Sequence, residues 1–258
     1  VKLVRVIGHD DTEEFDPFLM LDAFDADNPN DYIKGFPWHP HRGIETVTYL
    51  IEGEMEHGDS LGNTGTIFGG GCQWMTAGSG IIHQEMPQPS DLMLGTQLWV
   101  NLPQKDKMTH PAYRDITIDQ VPIVKEKGTE VRVVSGSYKG TDGPVFGEYV
   151  KTLYLDVKLE ANTEFVLERP SEETLFIYIV RGSIHTDGKE VPYHRAVLFT
   201  EGDELRLKAG AEGARLFLYS ALPLKEPIAW AGPIVMNSRE ELSLAREELS
   251  QGTFIKHN

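Results

Sequence analysis

Two short stretches of the chain carry metal-ligand side chains at alternate positions: His39 and His41 in "HPH", and His83 and Glu85 in "HQE". In an extended strand, side chains two residues apart leave the same face, with Cα atoms about 6.5–7 Å apart. Two such groups can grip one ion between them. Imidazole is largely uncharged at neutral pH and suits borderline transition metals, and a carboxylate adds an anionic oxygen. Pro40 drives His39 into β or polyproline geometry. Having no N–H, it also fits an edge or an irregular strand entrance near a barrel mouth. Gly35, Gly43, Gly78 and Gly80 flank both stretches and allow strand bends and close approach around a cavity. Glu45 follows His41 by four residues, so a continuing strand would put it on the same face. Spacing alone does not choose between Glu45 and Glu85 as the carboxylate ligand.

The elements that must position these groups read as short strands punctuated by turns. "ETVTYLIEGEMEHG" (45–58) is rich in β-branched and aromatic residues and breaks at Gly53. "LGTQLWVNLP" (94–103) and "TEVRVVSGSYKG" (129–140) are further strands ended by Pro or Gly, and four more strand or hairpin segments come after them. His185-Thr186-Asp187-Gly188-Lys189 is a hairpin tip. Two blocks, one opening with Thr46–Gly53 and the other with Thr174–Gly182, share an order of strand, turn and second strand that suggests duplication of a β-barrel unit. The break falls near Asp119–Lys127, where Pro, charge and Gly mix. The expected fold is all-β: two antiparallel barrel or jelly-roll domains, 1–122 and 123–258, with a tail helix at 238–251. That helix has Asn237 or Ser238 as N-cap, Glu240 and Glu241 in its first turn, and Leu242, Ala245 and Leu249 on one face. Gly252 is its expected stop.

Composition narrows the functional classes. The 258 residues carry 40 acidic against 24 basic side chains, a formal charge of −16. That field repels phosphate backbones and anionic membrane surfaces, and no Lys/Arg cluster offsets it, which argues against direct nucleic-acid contact. Apolar residues at 40% and charged residues at 25% are those of a soluble globular protein. The single cysteine, Cys72, excludes an intrachain disulfide and fits a reducing compartment. No apolar run approaches a bilayer span. The chain opens at Val1, so targeting information upstream stays an open matter.

Other residues have plainer readings. His9, His57, His110 and His257 have no partner at ligand spacing and read as surface or structural, with His57 in a hairpin turn. Cys72 reads as a buried, inert thiol. Trp74, Met75, Phe36 and Trp38 could line a pocket over a metal, but most read as barrel core. Arg42 and Gln73 are candidates to hydrogen-bond metal ligands from outside.

The order His39, His41, Glu45, Gly53 resembles the first cupin motif, and the Gly-rich stretch ending in "GSGIIHQEMP" resembles the second. More specifically, "HPHRGIETV", "QWMTAGSGIIHQEMP" and "TQLWVNLP", with "EPIAWAGPIVMNSREEL" near the C-terminus, resemble the pirin family of two-domain cupins across nearly the whole chain. The resemblance implies His39, His41, His83 and Glu85 as ligands of one metal, most readily Fe(II), with Ni, Mn, Co, Cu or Zn able to use the same groups. It implies a supporting role for Glu45 and a second barrel without a metal, His185 and His194 being unpaired. Three imidazoles and one carboxylate leave one or two coordination positions open, which favours catalysis over a closed structural site. The family further implies flavonol (quercetin) 2,4-dioxygenase activity, with O₂ as co-substrate, CO released and Glu85 as general base. The alternatives are an iron-dependent redox-sensing regulator acting through a protein partner, such as a transcription factor or metabolic enzyme, and a metal-bound isomerase. A monomer in the cytoplasm, or the nucleus of a eukaryote, is the accompanying expectation.

Overall fold

The computed structural model describes residues 1–200 and 202–257. They divide into two compact units, Val1–Ile118 with Leu224–Asn258, and Asp119–Pro223. The expected domains are 1–122 and 123–258; the first division between the compact units falls after Ile118, and the tail groups with the first unit rather than with the second. The tail's apolar residues Ile234, Met236, Leu242, Ala245 and Phe254 form one buried cluster, against which Ile82 of the first unit packs. No helix among the described residues is long and apolar enough to cross a membrane.

The first unit holds two antiparallel sheets. One runs β1 (Val4–Ile7), β2 (Phe18–Ala26), β9 (Met93–Asn101), β4 (Ile44–Glu52), β7 (Cys72–Thr76) and β10 (Ala112–Ile116) from edge to edge. The other runs β3 (Phe36–His41), β8 (Ile81–Pro87), β5 (Glu54–Asp59) and β6 (Thr64–Phe68). β3 and β4 therefore lie in different sheets although only Arg42 and Gly43 separate them, and Gly43 turns the corner at φ +79°. β8 shows strict alternation of buried and half-buried residues, with Ile81, His83, Glu85 and Pro87 on the buried face. On β4 the inward row includes Ile44, Thr46, Thr48 and Leu50, and both of its faces are buried. Two apolar clusters fill the ends of the barrel: one with Leu19, Ile44, Met75, Ile81 and Trp99, the other with Phe24, Leu50, Met55, Ile67 and Met93. Between them, Gln97, Thr48 and Gln73 stand side by side across β9, β4 and β7 as a polar row.

The second unit is a sheet of β11 (Ile123–Glu126), β12 (Thr129–Ser135), β15 (Leu153–Leu159), β16 (Glu164–Glu168), β17 (Thr174–Thr186), β18 (Lys189–Pro192), β19 (Arg195–Phe199) and β20 (Glu204–Ala221), with a small ribbon of β13 (Ser137–Tyr138) and β14 (Thr141–Asp142). β17 and β20 bend together near Gly182 and Gly213. Both glycines have positive φ, and a Cβ on Gly182 would lie 2.1 Å from the Gly213 carbonyl oxygen. The interior is aliphatic, built from residues such as Val131, Leu155, Val157, Ile177, Ile179, Leu216 and Leu218. The hairpin tip falls as the sequence indicates: Asp187 and Gly188 both take positive φ between β17 and β18.

After the second unit the chain returns to the first as a hairpin of β21 (Ala229–Ala231) and β22 (Ile234–Met236), then helix α1 (Arg239–Gln251). Of the two candidate caps, Ser238 is the N-cap: its hydroxyl accepts from Glu241 N, while the Glu241 carboxylate accepts from Ser238 N. Gly252 ends the helix in the left-handed region at φ +70°.

Candidate metal centre

β3 and β8 bring the two ligand stretches together directly, with His39 opposite His83. His41, two residues on, shares the face of His39. The ring centroids lie 4.4 Å (His39–His83), 4.8 Å (His39–His41) and 5.0 Å (His41–His83) apart. One donor nitrogen from each ring lies within 4.8 Å of the others. His41 and His83 are buried and His39 is half-buried, so the trio opens toward the outside on the His39 side.

The donor chemistry fits a cation. His41 Nδ1 lies 3.1 Å from the Pro233 carbonyl oxygen and His39 Nδ1 lies 2.8 Å from that of Pro37. A carbonyl only accepts, so each Nδ1 carries the proton and donates, which leaves Nε2 as a lone pair. His41 Nε2 and both ring nitrogens of His83 are buried with no hydrogen-bond partner. Buried, unpartnered polar atoms are costly, and a metal bound there would satisfy His41 Nε2 and one nitrogen of His83. Burial first, then the neighbouring His83 and His39 rings, hold the His41 pKa well below its ordinary value. Burial, His39 and His57 bring His83 down to about 3. Both rings are therefore neutral at pH 7, the form that coordinates.

Glu85 lies beside the trio, with Oε2 4.0 Å from His83 Nε2. Its carboxylate is buried and held from the opposite sheet. Gln97 Nε2 lies 2.8 Å from each oxygen, and Thr48 Oγ1 donates to Oε1 at 3.0 Å. Glu45 is elsewhere. The strand does not continue past His41, and alternation along β4 puts Glu45 on the sheet face opposite to Thr48. There Glu45 Oε1 accepts from Thr76 Oγ1 at 2.7 Å.

Several surrounding residues depart from the sequence reading. The Arg42 side chain bonds to Ser79, Glu248 and Phe254 rather than to the ligands. Gln73 donates to the Tyr113 hydroxyl, and the residues that grip Glu85 are Gln97 and Thr48, neither of which the sequence singles out as a site residue. His57 is on a strand, not in a turn. It is buried opposite Glu85 in the β5–β8 register, with Nδ1 against the Tyr113 hydroxyl and Nε2 3.2 Å from Asp115. Burial, with Asp115 and Glu85 adding to it, pushes the Tyr113 phenol up, so it stays protonated and can donate to His57. Period-two counting along "GEMEHGD" would have put Met55 and His57 on one inward face. Trp74 and Met75 are buried as expected, Phe36 is half-buried, and Trp38 is 55% exposed. Cys72 is buried, and burial followed by Asp115 pushes its thiol up, so it is not a reactive group.

Family models agree with this architecture: that of pirin matches residues 1–100 and that of the pirin C-terminal cupin domain matches residues 154–255. A pirin-like protein from Caulobacter vibrioides is 43% identical over 257 residues, covering 98% of this chain and 93% of that protein. Pirin from Homo sapiens is 40% identical over 248 residues, covering 93% of this chain and 83% of that protein. Among solved structures, a quercetin 2,3-dioxygenase from Acinetobacter baumannii superposes with a TM-score of 0.90 at 32% identity, covering 98% of this chain and 91% of that one.

Proposed function

The chain belongs to the pirin family, with two cupin-type domains, and from that premise we propose that it is a metal-dependent dioxygenase acting on flavonols such as quercetin. The observation that carries the reading is the convergence of three imidazoles, His39, His41 and His83, with buried unpartnered nitrogens on His41 and His83. Glu85 is the proposed fourth ligand. Fe(II) is the proposed metal; it would supply Lewis-acid polarisation and a template for O₂ and the flavonol 3-hydroxyl.

The protein's own groups take the remaining roles. Glu85 accepts the proton of the flavonol 3-hydroxyl at a carboxylate oxygen. The flavonolate is more electron-rich than the phenol and reacts more readily with oxygen. Gln97 and Thr48 fix the orientation of that carboxylate from the facing sheet. The solved neighbour is named a quercetin 2,3-dioxygenase. Our reading is 2,4-dioxygenation: release of C3 as CO breaks the C2–C3 and C3–C4 bonds, and the two oxygen atoms of O₂ enter at C2 and C4. Both oxygen atoms of O₂ then remain in the opened ester product.

The test is oxygen uptake and CO release with quercetin, using protein loaded anaerobically with Fe(II), beside a His83→Ala control. Turnover that vanishes in the control supports the enzyme and its site. Absence of turnover at stoichiometric metal would overturn the dioxygenase reading and favour a metal-sensing protein that acts through a partner.

A further inference from the structure

We propose that the C-terminal hairpin Ala229–Met236 is a working part of the metal centre, and that its Pro233 carbonyl sets the tautomer and aim of His41. The proposal rests on the metal-site reading above and adds to it a positioning element from the far end of the chain.

The His39 carbonyl partner is local, since Pro37 lies two residues earlier. The His41 partner lies 192 residues away. An imidazole whose Nδ1 proton is held by a carbonyl keeps Nε2 as a lone pair. Released, it can turn over or shift the proton to Nε2, and either change removes the ligand atom from the site. The ring is also confined at its side: Trp99 meets it edge-on at 5.0 Å, and Trp230 of the hairpin packs on Trp99 at 5.7 Å.

The hairpin is fastened on the two residues directly after His41. Val235 N donates to Arg42 O at 3.1 Å, and Arg42 forms a bridge with Ile234. The Lys107 ammonium donates to Gly43 O at 2.8 Å, to Val235 O at 3.0 Å and to Asn101 Oδ1. Its nitrogen thus meets three acceptors that span both segments. A Cβ on Gly43 would lie 1.9 Å from Val235 O, so only glycine lets the hairpin come this close. Helix α1 and the chain beyond it end on the same residue. The buried Arg42 guanidinium donates to Phe254 O at 2.9 Å, pairs with Glu248 at 2.7 Å and lies 4.2 Å from the centre of the Phe254 ring. The fastening therefore converges on the backbone next to one metal ligand, which packing of a tail in general would not require.

Three readouts on the full chain test this: Co(II) affinity by competition with a chelator, the visible spectrum of the Co(II) protein, and the long-range ¹H–¹⁵N spectrum of the metal-free imidazoles. Wild type should bind one Co(II), with His41 as the Nδ1–H tautomer. Pro233→Gly, which loosens the hairpin, and Lys107→Met, which unfastens it, should each lower affinity about 10–100-fold, as loss of a ligand's outer hydrogen bond does. They should also alter the Co(II) spectrum and mix the His41 tautomers. Leu244→Ala, at an exposed site on α1, should leave all three unchanged. If Pro233→Gly folds and binds Co(II) with wild-type affinity, spectrum and tautomer, the hairpin does not position His41 and the proposal fails. If Lys107→Met does not fold, Pro233→Gly alone decides. A wild-type protein that binds no Co(II) would overturn the metal-site reading itself.

Discussion

Gln97 Nε2 lies 2.8 Å from both carboxylate oxygens of Glu85, reaching from β9 in one sheet to β8 in the other. A buried carboxylate needs donors, and this contact with the 3.0 Å bond from Thr48 provides them. Gln97→Leu keeps most of the volume but removes the amide. The expected cost is about 1.5–3 kcal/mol, the range for hydrogen bonds to charged groups. At roughly 2–4 °C of melting temperature per kcal/mol for a domain of this size, a metal-free thermal melt would read it directly. A shift of less than about 1 °C would mean that Gln97 does not hold Glu85. With Fe(II) bound, the variant should lose turnover more than substrate affinity, because the carboxylate is no longer aimed.

Protonation of the histidines sets the acid limit of the metal-free protein. His83 is held down to about 3 and His41 is lowered as well, whereas an unfolded chain titrates its histidines near 6.5. Between those values the unfolded state binds more protons than the native state, so stability falls as pH falls. Denaturation of metal-free protein should show full stability above about pH 6.5 and a loss on the order of a few kcal/mol on approaching pH 3. In His83→Ala that acid loss should shrink. An unchanged profile would remove His83 as its cause.

Metal binding should raise stability by mass action, since the trio assembles only in the folded chain. At free metal 100 times the dissociation constant the gain is about 2.7 kcal/mol. Titration should show one ion per chain and a melting temperature that rises with metal and falls back with a chelator. His39→Ala, His41→Ala and His83→Ala should each abolish the rise, and a rise that persists in all three would place the ion elsewhere.

Gly43 gives the sharpest backbone prediction. Its φ is +79°, and a Cβ would meet Val235 O at 1.9 Å. Gly43→Ala must therefore either strain the corner between β3 and β4 or push the hairpin away, at a cost of about 3 kcal/mol. Denaturant midpoints would measure it. A loss below about 0.5 kcal/mol, the scatter of ordinary surface changes, would show that the hairpin moves aside freely.

What the sequence made legible was what is local. Alternation put His83 and Glu85 on one face of β8. Asp187-Gly188 marked a hairpin tip, and Ser238 with Glu241 marked the start of a helix. What it hid depends on pairing across distance. Thr48 and Gln97 look like ordinary strand residues until β4 and β9 face β8. His57 looked isolated because its partners, Tyr113 and Asp115, lie on β10. The tail looked like part of the second barrel because it comes after that barrel in the chain, whereas its apolar residues pack on the first unit.

The choice between Glu45 and Glu85 shows the same limit and yields the last prediction. Four residues from His41 to Glu45 would share a face only if the strand ran on. It stops at His41, turns at Gly43 and resumes in the other sheet, so Glu45 comes to lie on the face opposite to Thr48 and bonds to Thr76. Glu85 stays on the strand of His83, 4.0 Å from its Nε2. Glu85→Gln should therefore weaken metal binding and remove proton acceptance from the flavonol hydroxyl, with turnover falling about 10²-fold or more, as for loss of a positioned base. Glu45→Gln keeps an acceptor for Thr76 and should leave metal stoichiometry unchanged, at a cost in stability of about 1 kcal/mol. Metal analysis of the two purified variants separates the cases. If Glu45→Gln loses the ion and Glu85→Gln keeps it, the chain uses the other carboxylate and the corner at Gly43 must refold when metal binds.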